Sequence, residues 1–219
     1  MTERQKVIAI DGPSASGKGT VASRVAAALG FDYLDSGALY RLTALFAQKK
    51  CVEWSDGAAV AALAESLPAR FDGQQVFLDG EDVSAQIRTE AIGMGASAVA
   101  QVPEVRQALL QRQRDFLTDK GLVADGRDIG SVIFPNAAVK IFLTASAQVR
   151  AERRAKQIGL PCEGVAFDRI LADIKARDEA DRRRAVAPLV QLPDAHLLDT
   201  TQLSIEESVK KVLDWYSKV

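Results

Sequence analysis

Nine consecutive residues, Gly12-Pro13-Ser14-Ala15-Ser16-Gly17-Lys18-Gly19-Thr20, carry the most informative chemistry in this sequence. The order is Gly, four residues, then Gly-Lys, which suits a loop whose successive backbone N–H groups turn inward on a polyphosphate. Gly12 and Gly17 are expected to supply backbone angles closed to other residues. Lys18 would bridge the β- and γ-phosphates as a mobile point charge, and a helix starting here would add its positive N-terminal end. The alternative, a glycine-rich turn with no ligand, leaves the lysine unexplained. A nucleoside triphosphate such as ATP is the expected ligand. One departure matters: Gly19 stands where Ser or Thr commonly follows the lysine to ligate magnesium, and Thr20 sits one place later. Mg²⁺ is therefore expected to be held largely by phosphate oxygens and waters, with no protein metal ligand.

Phosphoryl transfer needs positive charge around both phosphates and the group in flight. Arginines stand in patterns suited to that work. Arg41 closes the run Asp35-Ser-Gly-Ala-Leu-Tyr-Arg41, and Arg127 with Asp128 lies in Asp125-Gly-Arg-Asp-Ile-Gly130. Arg150, Arg153 and Arg154 share a helix face by spacing, and Arg177, Asp181 and Arg184 are expected on one face of another helix. For any one of these helical arginines a solvated side chain is the competing reading. Asp125, ending an apolar run, reads either as an acidic group that positions magnesium waters or as a carboxylate that simply closes a strand. His196 is the sole histidine, sits in an apolar run, and reads as structural.

The elements that must position these groups alternate. Val7–Ile10, Phe31–Leu34, Leu122–Asp125, Val139–Leu143 and Ala195–Asp199 read as short buried strands. Helical patterns cover Thr20–Leu29, Leu39–Lys49, Glu104–Leu117 and Ala147–Gln157, and Ser204-Ile-Glu-Glu207 is a capping box opening a last helix to about Tyr216. Such alternation predicts an α/β fold with a mostly parallel sheet and helices on both faces. Between Leu67 and Gln86, three extended pieces are split by Asp72-Gly73 and Asp79-Gly80, the signal of a small antiparallel insert. In an open sheet of this class, ligands gather at the carboxyl ends of the strands, where the glycine loop, Arg41 and Arg127 all fall.

With 219 residues, 28 basic against 29 acidic side chains and a net charge of -1, the chain offers no general attraction to nucleic acid or to an anionic membrane. The first residues lack the apolar core of a signal peptide, and no run is long enough to span a membrane. Cys51 and Cys162 are far apart and outside any Cys-x-x-Cys pattern, so two unpaired thiols in the cytoplasm are expected.

Taken together, Ile10 to Thr20, Leu34 to Arg41, Ala124 to Gly130 and Arg184-Ala-Val-Ala-Pro-Leu189 resemble the bacterial cytidylate kinases, the CMP/dCMP branch of the nucleoside monophosphate kinases. The likeness covers nearly the whole chain in order. It implies a P-loop kinase fold with a five-stranded parallel core over about 1–37, 97–147 and 165–219. It also implies a mobile acceptor-binding part with the insert over about 38–96 and an arginine-rich lid over about 148–164. The implied reaction takes ATP and CMP or dCMP to ADP and the diphosphate with Mg²⁺, in a cytoplasmic monomer of pyrimidine metabolism without nucleic-acid or membrane partners. Residue by residue, the resemblance implies that Ser36, Ser97, Arg106 and Asp128 face the acceptor, the last three reading the cytosine edge. Arg41, Arg127 and Arg184 would hold the acceptor phosphate, and Arg177 with Asp181 would meet the sugar. Lys18, Arg127, Arg153 and Arg184 would serve the transfer itself, although which lid arginine touches phosphate is open at this level. Three rivals remain to be weighed. A P-loop kinase for AMP, shikimate or a cofactor precursor lacks this motif set. A switch GTPase would need an Asn-Lys-x-Asp segment, which is absent, and a catalytically dead adaptor would not keep Lys18 and the arginines.

Overall fold

In the computed structural model, which describes residues 5–73 and 75–219, strand β1 (Gln5–Asp11) runs through the middle of a five-stranded sheet. The order is β2 (Asp32–Asp35), β6 (Leu122–Gly126), β1, β7 (Ala137–Thr144), β8 (His196–Asp199). The β1–β6, β1–β7 and β7–β8 pairings are parallel. Central position explains composition: Val7, Ile8, Ala9 and Ile10 are fully buried, as a strand covered on both faces requires. All five strand expectations fall on observed strands, within a residue or two at their ends.

Three short strands, β3 (Ala69–Asp72), β4 (Gln75–Leu78) and β5 (Glu81–Asp82), form the expected antiparallel insert. Leu78 pairs with Glu81 across Asp79-Gly80, and both turn residues have positive φ, 51° and 82°. That is the two-residue hairpin for which Asp-Gly is suited.

The chain divides into two compact units. The first comprises 1–34 and 116–219, and the second 35–115. In the first, α1 (Lys18–Leu29) and α8 (Ile205–Tyr216) pack on one face of the sheet through Val21, Val25 and Val212. Helix α8 begins with the expected capping box between Ser204 and Glu207. Helices α6 (Ala147–Gln157) and α7 (Gly164–Arg183) pack on each other through Ala151, Ala155, Phe167 and Ile174. A π-turn over Ile129–Ile133 packs on β1, β6 and β7.

The second unit holds α2 (Ser36–Lys49), α3 (Gly57–Glu65), the insert, α4 (Glu90–Val99) and α5 (Pro103–Arg114). Helix α2 packs on α4, and α3 on α5. Residues 97–115, expected with the core, cluster with α2, α3, the insert and the start of α4. Pro103 separates α4 from α5, which opens one residue before the helix expected from Glu104. Val102 before it is extended at φ -81°, ψ 115°, because proline disfavours a helical predecessor, and Pro103 then opens α5.

Candidate active site

The phosphate loop leaves β1 and enters α1. Gly17 has φ 92° and is the left-handed residue that starts the helix, as its type predicts. Gly12 differs from expectation. It has no positive φ; instead, a Cβ placed there would lie 2.0 Å from the carbonyl oxygen of Leu143. Glycine is needed at 12 for close approach to β7, and the other unusual backbone angle falls on Ala15 at φ 56°. Asp35, Asp56, Thr89, Ser146 and Ser204 cap their helices through side chains, whereas α1, like α5 and α7, has no such cap, and its first turn carries no acidic residue. Its first N–H groups are left to an anion. Ser14 Oγ and Ser16 Oγ are buried without a hydrogen-bond partner among the described residues. Two orphan hydroxyls in a loop that ends at an uncapped helix N-terminus fit a polyphosphate.

Lys18 Nζ lies 3.7 Å from Asp125 Oδ2. Asp125 also accepts a 2.7 Å hydrogen bond from the Tyr33 hydroxyl. A Cβ on Gly19 would sit 3.4 Å from that hydroxyl and 3.7 Å from Asp125 Oδ1. Both are ordinary contacts, so Asp125 and Tyr33 stand directly beside the position where the usual loop would carry its own hydroxyl.

The three arginines of α6 divide. Arg150 is buried and fully engaged: it donates to Ser14 O and Ala145 O, both at 3.0 Å, and makes a two-point pair with Asp178 of α7. Arg153 donates to Ser16 O at 3.1 Å and to Thr200 O at 2.7 Å, with Thr200 Oγ1 bonded in turn to Ser16 O. Arg154, by contrast, bonds Gln157 on its own helix. Arg150 and Arg153 therefore brace the loop.

Beyond β6, Arg127 Nε donates to Asp181 Oδ2 at 2.6 Å, tying the turn to α7. Asp128 is buried, and its carbonyl accepts from Val132 N at 2.9 Å. Arg177 and Asp181 lie on α7, but Arg184 does not share their helix face. The helix ends at Arg183, and Arg184 is extended at φ -54°, ψ 133°. The chain then turns back through Ala187 at positive φ, so that Leu189 N reaches Asp181 O at 2.8 Å.

Within the second unit, Ser36 begins α2 behind the Asp35 cap and is buried. Arg41 of α2 donates to Ile87 O at 2.7 Å and Thr89 O at 3.3 Å, bridging to the start of α4. Arg106 of α5 is buried, donates to Ala100 O at 3.3 Å and stands 5.6 Å over the Tyr40 ring. Ser97 lies on α4, half-buried.

The cytidylate kinase family model matches residues 8–218. The chain belongs to the cytidylate kinase family. Membership makes it a phosphotransferase, which the loop geometry independently suits. A cytidylate kinase of Neisseria gonorrhoeae is 76% identical over 216 residues, 99% of each chain. One from Chromobacterium violaceum is 57% identical, covering 97% of this chain and 96% of its own. A solved shikimate kinase from Bacteroides thetaiotaomicron is similar at 14% identity and TM-score 0.47, over 96% of this chain and 98% of that one.

Sequence reasoning about this kinase missed Tyr33, Thr200 and Asp178, each of which orders a group it had singled out. Their signals are slight: a tyrosine in a strand, a threonine just past one, an aspartate in a charged helix. It also gave no role to Asp11, which closes β1. The Asp11 carboxylate accepts 2.8 Å hydrogen bonds from Ile129 N and Gly130 N. Burial pushes its pKa up to about 6; the backbone N–H groups and Arg127 oppose that rise and Asp128 adds to it. His196 is exposed on the edge strand and stacks on Trp215 at 4.5 Å, a structural contact. Cys51 and Cys162 are unpaired and exposed. Among the described residues, no helix is long and apolar enough to cross a membrane, and no group of three His, Cys, Asp or Glu could hold a metal.

Proposed function

We propose that the chain transfers the γ-phosphoryl group of ATP to CMP or dCMP, giving ADP and CDP or dCDP, as a cytoplasmic monomer acting on small nucleotides. The observation that carries the donor half is the uncapped loop with Lys18 beside Asp125 and two orphan serine hydroxyls. Residues 12–20 would hold the triphosphate, and Lys18 would follow charge onto the β–γ bridging oxygen as that bond breaks. Asp125 would order waters of a phosphate-borne Mg²⁺, which when bound would supply further positive charge there. The acceptor's phosphate oxygen, already ionised, attacks phosphorus without a protein base. Arg153, held on the loop by Ser16 and Thr200, would face the transferred group.

For the acceptor, Arg41, Arg127 and Arg184 would hold the phosphate, Arg177 and Asp181 the sugar, and Ser36 would face the bound nucleotide. Ser97, Arg106 and Asp128 would read the base. Cytosine presents an amino donor and the N3 and O2 acceptors. A carboxylate at 128 accepts from the amino group, and the Arg106 guanidinium donates to N3 and O2. Uracil would set its carbonyl against the carboxylate and its N3–H against the arginine, a polar mismatch that discriminates better than shape. The test is the full chain with ATP, Mg²⁺ and CMP, dCMP, UMP, AMP or GMP in turn, with ADP release followed. CMP or dCMP should exceed UMP by about tenfold or more in kcat/KM. Equal use of UMP, or efficient use of AMP, would overturn the assignment.

A further inference from the structure

Asp11 is a buried charged group that the reaction above leaves without a task. It closes β1 one residue before the phosphate loop, and each oxygen takes one backbone N–H, from Ile129 and from Gly130, at 2.8 Å. Those are the two residues after Asp128. On the other flank of the same turn, Gly12 N donates to Gly126 O at 3.3 Å. The segment carrying Arg127 and Asp128 is thus tied at both ends to the point where β1 becomes the donor loop. Gly130 is also pressed onto the sheet, since a Cβ there would lie 3.2 Å from the Lys140 side chain and 3.5 Å from Ala9.

We infer that Asp11 is a positioning residue for the acceptor, clamping the turn that aims Arg127 and Asp128 and fixing it to the frame of the donor loop. The inference rests on the reading of those two residues as acceptor contacts. An ionised carboxylate at such burial opposes folding, and an uncharged side chain could satisfy a single N–H at lower cost. What a carboxylate does here is accept from two successive peptides at once, one on each oxygen, which fixes the two peptide planes relative to each other about the Ile129 Cα. Charged groups around it are accounted for. On the turn, Arg127 is directed into Asp181 of α7, and Asp128 adds its own charge. On β7, Lys140 is paired with Asp194 at 2.8 Å. Protonation converts one Asp11 oxygen from acceptor to donor, so one tie is lost in mild acid.

The experiment is Asp11→Asn in the full chain, with CMP and ATP varied separately and amide exchange followed by NMR. KM for CMP should rise about tenfold, as expected for one lost tie, while KM for ATP stays within about twofold. Exchange at Ile129 and Gly130 should quicken about tenfold, with Ile8 and Ile10 unchanged. Equal changes in both KM values, or none, would overturn the clamp. So would unchanged exchange at the two amides. Wild-type turnover on CMP in the same assay checks the underlying reading separately: its absence sinks the acceptor assignment itself. Should the variant not fold, wild-type CMP affinity between pH 7.5 and 5.5 decides, corrected for the ligand's own phosphate ionisation. A residual weakening through the acid range supports the clamp, and a flat corrected profile overturns it.

Discussion

On the proposed function, the donor loop and the acceptor residues would solve the same problem, holding an anion, by opposite means. Residues 12–20 do it locally: one left-handed glycine, one glycine chosen for close approach, an uncapped helix and a lysine, all within nine positions. The proposed acceptor groups are scattered over α2, α4, α5, the turn after β6, α7 and the extended segment after it. A site made of backbone is preorganised by the fold and tolerates little change. Side chains on separate elements must instead be braced one by one, as Arg41 is by Ile87 and Thr89, Arg106 by Ala100, and Arg127 by Asp181. The first arrangement should fail sharply when altered, and the second by degrees.

The sharpest break is Lys18→Ala. It removes the charge that follows the leaving oxygen, so turnover should fall at least about a hundredfold, some 2.7 kcal/mol, with the far-UV spectrum unchanged. Near-normal turnover in a folded variant would falsify the assignment of the loop.

On the acceptor side, Asp181→Ala should cost ~1.5–3 kcal/mol in kcat/KM for CMP, because it deprives the sugar of an acceptor and Arg127 of its partner. KM for ATP should stay within a few-fold. Arg184→Ala should be worse, since it removes charge opposing a phosphate. Were the half-buried Arg127–Asp181 pair purely structural, its loss would lower stability and leave kcat/KM for CMP per folded molecule unchanged, which thermal melts beside steady-state kinetics would show. Equal damage to both substrates' parameters would mean a lid or fold defect instead.

The same contrast explains what could be read from sequence. Residues adjacent in the chain and constrained by covalent geometry left a legible pattern: the glycine loop, the Asp-Gly hairpin turn, the capping box at Ser204. Buried parallel strands were legible as apolar runs. What escaped depends on contacts between distant segments. Arg150 shares a helix face with Arg153 and Arg154 by spacing, yet Asp178 and Ser14 bind it as a brace. Arg184 matched a helical period with Arg177 and Asp181, but the helix stops one residue earlier and the chain doubles back to Asp181. Gly12 was read as a φ requirement, and its reason is the Leu143 carbonyl on another strand. No local propensity records a partner that many residues away.

Base selectivity sharpens the comparison at smaller cost. Asp128→Ala should narrow the CMP/UMP ratio of kcat/KM by about tenfold, largely through weaker use of CMP, because one polar contact is worth ~1–3 kcal/mol. Donor parameters should not move. An unchanged ratio would shift base reading to Ser97 or Arg106, both in the second unit.

The smallest effect joins the two arrangements at Asp11. Its pKa in the folded chain is raised to about 6 from 3.8, chiefly by burial. Between those values the folded protein binds a proton that the unfolded chain does not, so acidification favours folding. The stabilisation is complete below 3.8 and is lost as pH rises through about 6. From pH 7 to pH 5 this group alone should add about 1 kcal/mol to wild-type stability, and Asp11→Asn should lack that gain. In a chain of this size that amounts to roughly 2–4 °C in Tm, read as the wild-type-minus-variant difference at the two pH values. The clamp predicts the opposite trend for function, with CMP binding weakening over the same range. A buried group serving stability alone would let both move together. Opposed slopes would mark a carboxylate kept charged, against the preference of the fold, for the site it aligns.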